Sequence, residues 1–505
     1  MSNRSVLGAM VIFVVAMTGF SPVARGEDYA DGSMMFPDSG PWGLVIHTSQ
    51  KLEPLKRIGV QWVRLGATWH GIERDERGVY DWTGLDPYLN FYLDHGFKVM
   101  CVINLDKVPP AYEQDKENKP LIIDATVKYA EALATRYKGR GILWEICNEP
   151  EVFPMGNYWN DPATYATMAR RVALKIKQAD PDAKIAAFSV AWIDRSFIDT
   201  AVGAGLLKDK TIDVLTYHGY HRAGMMPESG LLEDVSWLRG VIAKHANGKH
   251  IVVADSERGY FIHPPGTPKN WGSWRSIIYG ESEQAAYLAR HYFEEIWLGV
   301  EVIVWYKDMY GEENSSLYYG DGSTPEQGLR PMGNVYRNLS SLMPENPKKL
   351  RNDKYDVALT DLQDTISAPD SSVKVRTYLR SYLQDSQNKQ RLIIAAWNPV
   401  AAFDGKILES RKQSGEQIVE KWRDSTSSDV IEIPGRVQIT GLAGRKITAV
   451  WRYDLLAKNT EEAQHPLEHE MNDTSLLTPI LRIGPMPTVI IVDLEASTSE
   501  TTEGK

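Results

Sequence analysis

A (β/α)8 TIM barrel followed by a C-terminal β-sandwich-like domain is the fold that this chain of 505 residues predicts. Two features carry that expectation. From Gly43 to about Lys307, short apolar runs alternate with helical patterns until eight such units have passed, and several runs end on polar residues. After Met343-Pro344-Glu345-Asn346-Pro347 the helical pattern stops, and strand-like segments separated by Gly, Asn and Asp turns take over. A doubly wound open sheet would show the same alternation, but it has no use for so many polar strand ends. A barrel gathers its site at that face.

The first strand is Leu44-Val45-Ile46, followed beyond Thr48-Ser49 by an amphipathic segment that ends at Gly59. Gln61 to Trp69 is the second strand, with a helix around Leu85 to His95. Lys98 to Leu105 is the third, and Asp124 is expected to cap a helix that runs to about Tyr137. The fourth begins at Ile142 as a buried apolar run and breaks at Asn148-Glu149-Pro150, where Pro150 has no N–H for a sheet ladder. Asp161-Pro162 supplies an N-cap and a first-turn proline for a helix to Ala179. Lys184 to Trp192 is the fifth strand, with Asp194 opening its helix, and Ile212 to Tyr220 is the sixth. A helix follows from about Leu231 to Lys244, and His250 to Ser256 is the seventh strand. Ser282 is expected to cap a long helix through Trp297, before an eighth strand over Glu301 to Lys307. Beyond the barrel, Tyr355 to Thr360, Val373 to Leu383, Arg391 to Trp397, Lys446 to Tyr453 and Thr488 to Leu494 read as strands. The expected division is 27–345 for the barrel with a short N-terminal extension and 346–495 for the β-rich domain, with a disordered Ser/Thr/Glu-rich tail over 496–505.

At the N-terminus, Arg4, the apolar run from Val6 to Phe20 and the small residues of Ala24-Arg25-Gly26 read as a signal peptide over 1–26, with an uncleaved anchor as the alternative. The mature protein is expected to be exported, either secreted or periplasmic, and not to associate with a membrane once the signal is removed. With 56 basic against 66 acidic residues, a net charge of -10 and no basic stripe, nucleic acid is not an expected partner. Cys101 and Cys147 are the only cysteines, and they fall in strands expected to be neighbours; buried free thiols are favoured over a bond. There is no Cys/His spacing of a metal site and no Gly-rich phosphate loop, so no cofactor and no metal are expected. The 15 Trp and 24 Tyr are mostly core candidates, but flat side chains with a polar edge also suit sugar faces.

Strand seven, like strand four, runs apolar and then ends on acids, Asp255-Ser256-Glu257, with Gly259 permitting a sharp exit. Strands four and seven lie across the mouth of an eight-stranded barrel, so Glu149 and Glu257 would face one another over a cavity. Two carboxylates so placed are the equipment of a glycosidase. Asp255 shares strand parity with Glu257 and is the rival nucleophile, disfavoured as lying one layer deeper. Glu145 and Glu151 are expected to be structural or peripheral.

On these motifs the chain resembles the retaining clan A glycoside hydrolases, which include families 5 and 39, over roughly Trp42 to Met343. Asn148-Glu149-Pro150 matches the acid/base motif after strand four, and Glu257 matches the nucleophile after strand seven. Val63-Arg64-Leu65 with Trp69 resembles the strand-two arginine motif, His218-Gly219-Tyr220 the strand-six His-x-Tyr, and Trp305 the strand-eight tryptophan. The resemblance implies Glu149 as a general acid needing a raised pKa and Glu257 as an ionised nucleophile held by Arg64 and Tyr220. It further implies Asn148 on the sugar 2-hydroxyl, His218 binding a hydroxyl or orienting the acid (or serving only as a core histidine), and Trp305 as the floor of the reacting-sugar subsite. Asn104 and Lys307-Asp308 at strand ends, and Tyr158-Trp159, Trp271 and Trp274 on long loops, are further candidates for the cleft. The expected substrate is a β-linked polysaccharide or oligosaccharide, "β-linked" coming from the resemblance alone. A non-catalytic carbohydrate-binding protein on the same barrel is the alternative, and it would predict loss of a carboxylate or its donors.

Overall fold

The structure is a computed structural model. It describes residues 34–47, 51–152, 159–220, 227–228, 230–262, 277–278, 280–306, 315–319, 328–345, 347–349, 355–363, 365–368, 371–374, 377–386, 389–398, 402–403, 406–413, 417–424 and 432–495. The expected signal peptide over 1–26, the expected tail over 496–505, Tyr158, Trp271, Trp274, Lys307 and Asp308 lie outside the described residues.

Eight parallel strands close into a barrel: β1 (Trp42–Val45), β2 (Trp62–Thr68), β3 (Lys98–Asn104), β4 (Leu143–Ile146), β5 (Lys184–Val190), β6 (Val214–His218), β7 (Val252–Arg258) and β8 (Val302–Trp305). Each strand pairs with its sequence neighbours, and β1 pairs with β8 to complete the ring. Each is followed by a principal helix: α1 (Leu52–Arg57), α2 (Leu85–Asp94), α3 (Lys119–Arg136), α4 (Pro162–Ala179), α5 (Arg195–Gly203), α6 (Leu231–His245), α7 (Glu281–Trp297) and α8 (Pro331–Leu342). The N-terminal part of the interior is filled by Trp62, Met100, Leu143, Ala186, Val214 and Val302. Two residues further along the same strand faces the lining turns polar, with Arg64 after Trp62, Glu145 after Leu143 and Thr216 after Val214.

Two caps fall where the sequence places them: the Asp161 carboxylate accepts the Thr164 N–H and that of Asp194 accepts the Phe197 N–H. Two do not. The helix assigned to an Asp124 cap starts a turn earlier, with Pro120 in the first turn and Asn118 accepting the Leu121 N–H; Asp124 instead pairs with Arg171 of α4 at 2.6 Å. Helix α7 starts at Glu281 behind Gly280, which makes no side-chain cap, so Ser282 is already inside it.

The C-terminal part is antiparallel. One sheet carries Tyr378–Ser386, Lys389–Trp397, Thr488–Glu495 and Ile447–Tyr453 as its main strands, and a second is built on Asp356–Thr360 and Ile433–Thr440. Their facing sides share a core that includes Leu392, Ile394, Val437, Ile439, Ile490 and Val492. Ile433–Thr440 buries every second residue, the period of a strand with one dry face. Sequence places Val373 to Leu383 in one strand; the structure divides it into Ser371–Lys374 and Tyr378–Ser386.

The other face of the first sheet lies on α7 and α8, and the barrel's core cluster runs on into Tyr382, Trp397, Tyr453 and Ile491. Phe293 of α7 stacks on Tyr382 and Trp397 with ring centroids 5.9 and 6.2 Å away. Trp397 Nε1 donates to Glu228 at 2.7 Å, and Asn338 of α8 donates to the carbonyls of Leu455 and Ala457 at 2.9 Å. Helix α7 is thus dry on both sides, and its charged residues are held in pairs such as Arg290–Glu228 at 2.6 Å and Arg380–Glu294 at 2.8 Å. Both cysteines are buried and free, on or just beyond the adjacent strands β3 and β4.

Candidate active site

Arg64 stands at the centre. Its Nε donates to Glu145 Oε2 at 2.7 Å and its Nη1 to Glu257 Oε2 at 2.6 Å. Its Nη2 faces Asn148 Oδ1 at 2.8 Å, Ser189 Oγ at 3.1 Å and His218 Nε2 at 3.2 Å. One guanidinium therefore ties together the ends of β2, β4, β5, β6 and β7, and its planar fork of donors is suited to holding several acceptors at fixed angles. Glu145 is fully buried beneath it. Burial alone would push its carboxyl up; the charges of Arg64 and His218 outweigh that, and the carboxyl lies below its ordinary range.

His218 ties Glu149 to Ser189 and Arg64. Its Nδ1 lies 2.7 Å from Glu149 Oε1, and its Nε2 lies 2.8 Å from Ser189 Oγ. With Arg64 and Ser189 both able to donate to Nε2, the Nδ1–H is the one that donates to Glu149. Burial works against the charged imidazole, but the charge of Glu257 and the bond to Glu149 prevail, so His218 is held above its ordinary value. Tyr220 donates its hydroxyl to Glu257 Oε1 at 3.1 Å, and burial raises that phenol well above its usual range, keeping it a donor. Glu149 and Glu257 keep 16% and 14% of their side chains accessible, so both carboxylates can be reached. One oxygen of each, with one nitrogen of His218, lies within 4.8 Å of the others. A metal ion has little claim on this triplet, because the Arg64 cation is already bound to Glu257 and both His218 nitrogens are engaged.

The backbone that presents these groups leaves ordinary strand geometry. Cys147 and Glu149 adopt φ of 69° and 42°, and Phe188 and Ser189 adopt 88° and 48°, all in the left-handed region that L residues avoid. Hydrogen bonds hold them there. The Glu149 N–H reaches Ser189 O at 2.9 Å, the Phe188 N–H reaches Tyr165 Oη at 2.7 Å, and the Ser189 N–H reaches Thr216 Oγ1 at 3.0 Å. The register between β5 and β6 shifts at the same place, which turns the Ser189 hydroxyl into the mouth.

A second shift corrects the expectation for Asp255. Tyr217 pairs with Asp255 but His218 pairs with Glu257, so Ser256 is an extra residue in β7. The bulge breaks the shared parity. Glu257 turns into the mouth, the Ser256 hydroxyl faces Glu145, and Asp255 turns toward α7, where its carboxylate lies 3.2 Å from His291 Nε2. Asp255 is therefore outside the barrel interior rather than one layer deeper in it. Its Oδ1 accepts the N–H groups of Gly219 at 3.0 Å and Glu257 at 3.3 Å, so it supports the nucleophile candidate from behind. Only glycine fits at 219, since a Cβ there would lie 2.3 Å from Asp255 Oδ2.

Behind Asp255, His291 also contacts Glu295 at 3.3 Å, and Tyr217 Oη donates to Glu295 at 2.6 Å. This set is fully buried. Burial pushes the Asp255 and Glu295 carboxyls up to about 7 and the His291 imidazole down to about 4. Between pH 4.5 and 7 the folded chain therefore keeps protons on two carboxyls that the unfolded chain releases, which lowers stability as pH rises; His291 opposes this with one proton up to about pH 6.5. A Glu295→Gln substitution keeps an oxygen for Tyr217 and removes one buried charge. Its melting temperature is expected to match wild type near pH 5 and to exceed it at pH 8, by an amount corresponding to roughly 2 kcal/mol. Melting curves at the two pH values check this, and a variant no more stable than wild type at pH 8 would contradict it.

Among the residues singled out in the sequence, the structure brings Arg64, Asn148, Glu149, His218, Tyr220 and Glu257 into one connected set. It does not bring Trp305 to that set. Val302 and Val304 face the interior, whereas Trp305 joins the helix-facing core, fully buried and 5.9 Å from the Tyr260 ring. The half-buried aromatic that continues the interior face is Tyr306. Asn104 accepts the N–H of Asp106 at 3.3 Å, and Trp159 is buried. Ser189 and Glu145 are parts of the site that sequence reasoning missed or set aside. A serine in an apolar strand carries no signal of its own, and the buried position of Glu145 two residues after Leu143 was the clue to an internal partner.

No protein-family model matches the sequence, and no curated protein sequence matches it. Solved structures do share its fold. A family 39 glycoside hydrolase from the gut symbiont Bacteroides cellulosilyticus WH2 aligns with a TM-score of 0.55 and 16% identity over 90% of this chain and 81% of that one. A family 51 α-L-arabinofuranosidase from Bifidobacterium longum gives 0.53 and 14% over 92% and 98%, and a monomeric β-xylosidase from Caulobacter crescentus CB15 gives 0.51 and 14% over 90% and 97%. The likeness takes in the β-rich part as well as the barrel. The fold is that of the clan A glycoside hydrolases.

Proposed function

We propose that this protein is a retaining glycosidase that hydrolyses β-glycosidic bonds of a polysaccharide or oligosaccharide by double displacement. The observation that carries the reading is the pairing of two partly accessible carboxyls, Glu149 and Glu257, with one oxygen of each within 4.8 Å of the other, Glu257 held by Arg64 and Glu149 by His218. An inverting enzyme needs room for a water between its carboxyls, at about 6.5–9.5 Å, whereas a retaining one works at about 5–5.5 Å. Arg64 and Tyr220 each give one hydrogen bond to Glu257, which holds it aimed as the nucleophile. Glu149 receives His218 on Oε1, so Oε2 is the oxygen that can carry the transferable proton to the leaving group. In the second step the same carboxylate takes a proton from water as it attacks the glycosyl–Glu257 ester. Asn148 has its oxygen on Arg64 and its NH2 left to donate to a sugar hydroxyl.

The fold relatives are described as acting on xylosides and arabinofuranosides, so a substrate panel begins with those sugars, as aryl glycosides and as oligosaccharides. Wild type is expected to hydrolyse at least one. Glu149→Ala is expected to lose roughly 10²–10⁴-fold on a sugar leaving group and far less on an activated aryl one, which needs no proton. Equal losses on both would remove Glu149 from the acid role. In this reading the enzyme acts outside the cytoplasm, consistent with the N-terminal segment of Arg4, Val6 to Phe20 and Ala24-Arg25-Gly26. N-terminal sequencing of protein recovered from the medium or periplasm checks that point. Among the described residues no helix is long and apolar enough to cross a membrane.

A further inference from the structure

Glu151 is a largely buried acid that the double displacement above does not use. Its place beyond Pro150 marks it in the sequence as structural or peripheral, but the structure ties it to the exit of β5. Its Oε1 accepts the N–H of Ala191, itself a buried residue, at 2.5 Å. Its Oε2 is out of contact with water and has no hydrogen-bond partner among the described residues. Burial, with a smaller push from the Glu149 charge, raises this carboxyl to about 8, so it carries its proton at neutral pH and offers Ala191 a neutral carbonyl oxygen. An acid kept uncharged in this way contributes through its bond and not through its charge.

That bond reaches Glu149 through the backbone. Glu149-Pro150-Glu151-Val152 is a tight turn, closed by the Val152 N–H on Glu149 O at 3.1 Å, with proline at its second position. The turn starts from Glu149 in a left-handed conformation, φ 42°, which an L residue keeps only where its surroundings hold it. On the upstream side the Glu149 N–H is held by Ser189 O at 2.9 Å. Pro150 has no N–H to give, so on the downstream side it is the Glu151 side chain that supplies a bond to β5. Ser189 and Ala191 are two residues apart at the same strand exit, and the turn is fastened to both. The Glu149 carboxyl, 2.7 Å from His218 Nδ1, is aimed from that turn. With one fastening gone the turn can swing, and Glu149 can relax toward an ordinary φ that aims its carboxyl elsewhere.

We propose that Glu151 is a positioning residue for the general acid, its side chain fastening the turn that presents Glu149 to the exit of β5. This rests on the glycosidase reading above. A residue that acts only by aiming the acid matters where a proton must be delivered and not elsewhere, so two substrates of the sugar that the wild type cleaves separate the possibilities: an oligosaccharide, and the dinitrophenyl glycoside, whose leaving group departs without a proton. Glu151→Ala is expected to lower kcat/KM by roughly 10–100-fold on the oligosaccharide and by less than about threefold on the dinitrophenyl glycoside, which also shows that the rest of the site is assembled. Glu151→Leu fills the space, lacks the acceptor and carries the same expectation if the alanine variant is too unstable to assay. Glu151→Gln keeps a carbonyl oxygen for Ala191 and is expected to stay within about threefold of wild type on both substrates. In Glu149→Ala/Glu151→Ala the oligosaccharide rate is expected to match that of Glu149→Ala to within about threefold, since there is no acid left to aim. Equal losses on the two substrates in Glu151→Ala, no loss on either, or a double variant that falls below Glu149→Ala by the full factor of the single Glu151 change would each overturn the positioning role. If Glu149→Ala shows the leaving-group dependence and Glu151→Ala does not, the glycosidase reading stands and only this inference fails; a wild type that cleaves neither substrate in any sugar series overturns both.

Discussion

Glu257→Gln is expected to abolish hydrolysis, by roughly 10⁴-fold or more, on every substrate that the wild type cleaves and whatever its leaving group. That independence is what separates the nucleophile from the acid. An activated leaving group can depart without a proton, but no leaving group removes the need for an oxygen to attack the anomeric carbon. The substitution is close to isosteric: its oxygen can still accept from Arg64 Nη1, and its NH2 can donate to the Tyr220 hydroxyl oxygen in place of the bond that Tyr220 gave, so the site should remain assembled. The smaller variant Glu257→Ala opens room for an added anion. Azide is expected to enter from the face that Glu257 vacates and to yield a glycosyl azide of inverted configuration, while wild type releases sugar of retained configuration. Both outcomes are read by NMR of the first product formed. Full activity in Glu257→Gln would remove the nucleophile assignment, and an inverted first product from wild type would remove the double displacement.

Much of this site could be read from the sequence because strand ends in a barrel are places with a known use. An apolar run that breaks at Asn148-Glu149-Pro150 cannot continue as a strand, and its acid must point somewhere wet or paired. The same pattern at Asp255-Ser256-Glu257 gives the opposing acid. Alternation alone could not choose between Asp255 and Glu257. Strand parity puts both on one face, and only the extra Ser256 in the ladder with β6 sends Asp255 to α7. Bulges have no residue signature in an apolar strand, so that assignment needs the register. Trp305 shows the same limit in β8, where a shift of one position decides between the interior and the helix layer, and the pattern of Val302 and Val304 gives the interior to its neighbour Tyr306. The misplaced caps have a different origin. Asp124 and Ser282 have capping side chains, yet the actual first turns lie upstream, one behind Pro120 and one behind Gly280.

The β-rich domain was legible as strands but not as a support for the face where Glu149 and Glu257 open. Its sheet packs on α7 through Phe293, Tyr382 and Trp397. The same helix carries His291 and Glu295 on its barrel side, and these hold Asp255, which holds the backbone of Glu257. A continuous set of packed and hydrogen-bonded groups thus runs from the β-rich part to Glu257. That route explains why so many charged side chains of α7 are buried. A helix with sheet on one side and barrel on the other has no wet face on which to place them.

Arg64→Met is the second large effect, and it acts on stability and activity for separable reasons. The guanidinium neutralises Glu145, which has no exposed surface, and Glu257, which has little. Removing it strands a carboxylate in the barrel interior, and a broken buried pair of this kind costs roughly 3–5 kcal/mol. If that stranded charge is the cause, Arg64→Met/Glu145→Gln should recover at least about 1–2 kcal/mol over the single variant, because a buried amide needs only hydrogen bonds whereas a buried carboxylate needs a counter-charge. Activity should not return with it. Glu257 still lacks the Nη1 donor, Asn148 is no longer held by Nη2, and the loss relative to wild type is expected to stay at roughly 10²-fold or more in the double variant. Denaturant melts of both variants give the first comparison, and kcat/KM on the best panel substrate gives the second. A double variant no more stable than Arg64→Met would mean that the cost lies in lost packing around the guanidinium. A double variant with restored turnover would mean that Arg64 serves Glu145 rather than the nucleophile.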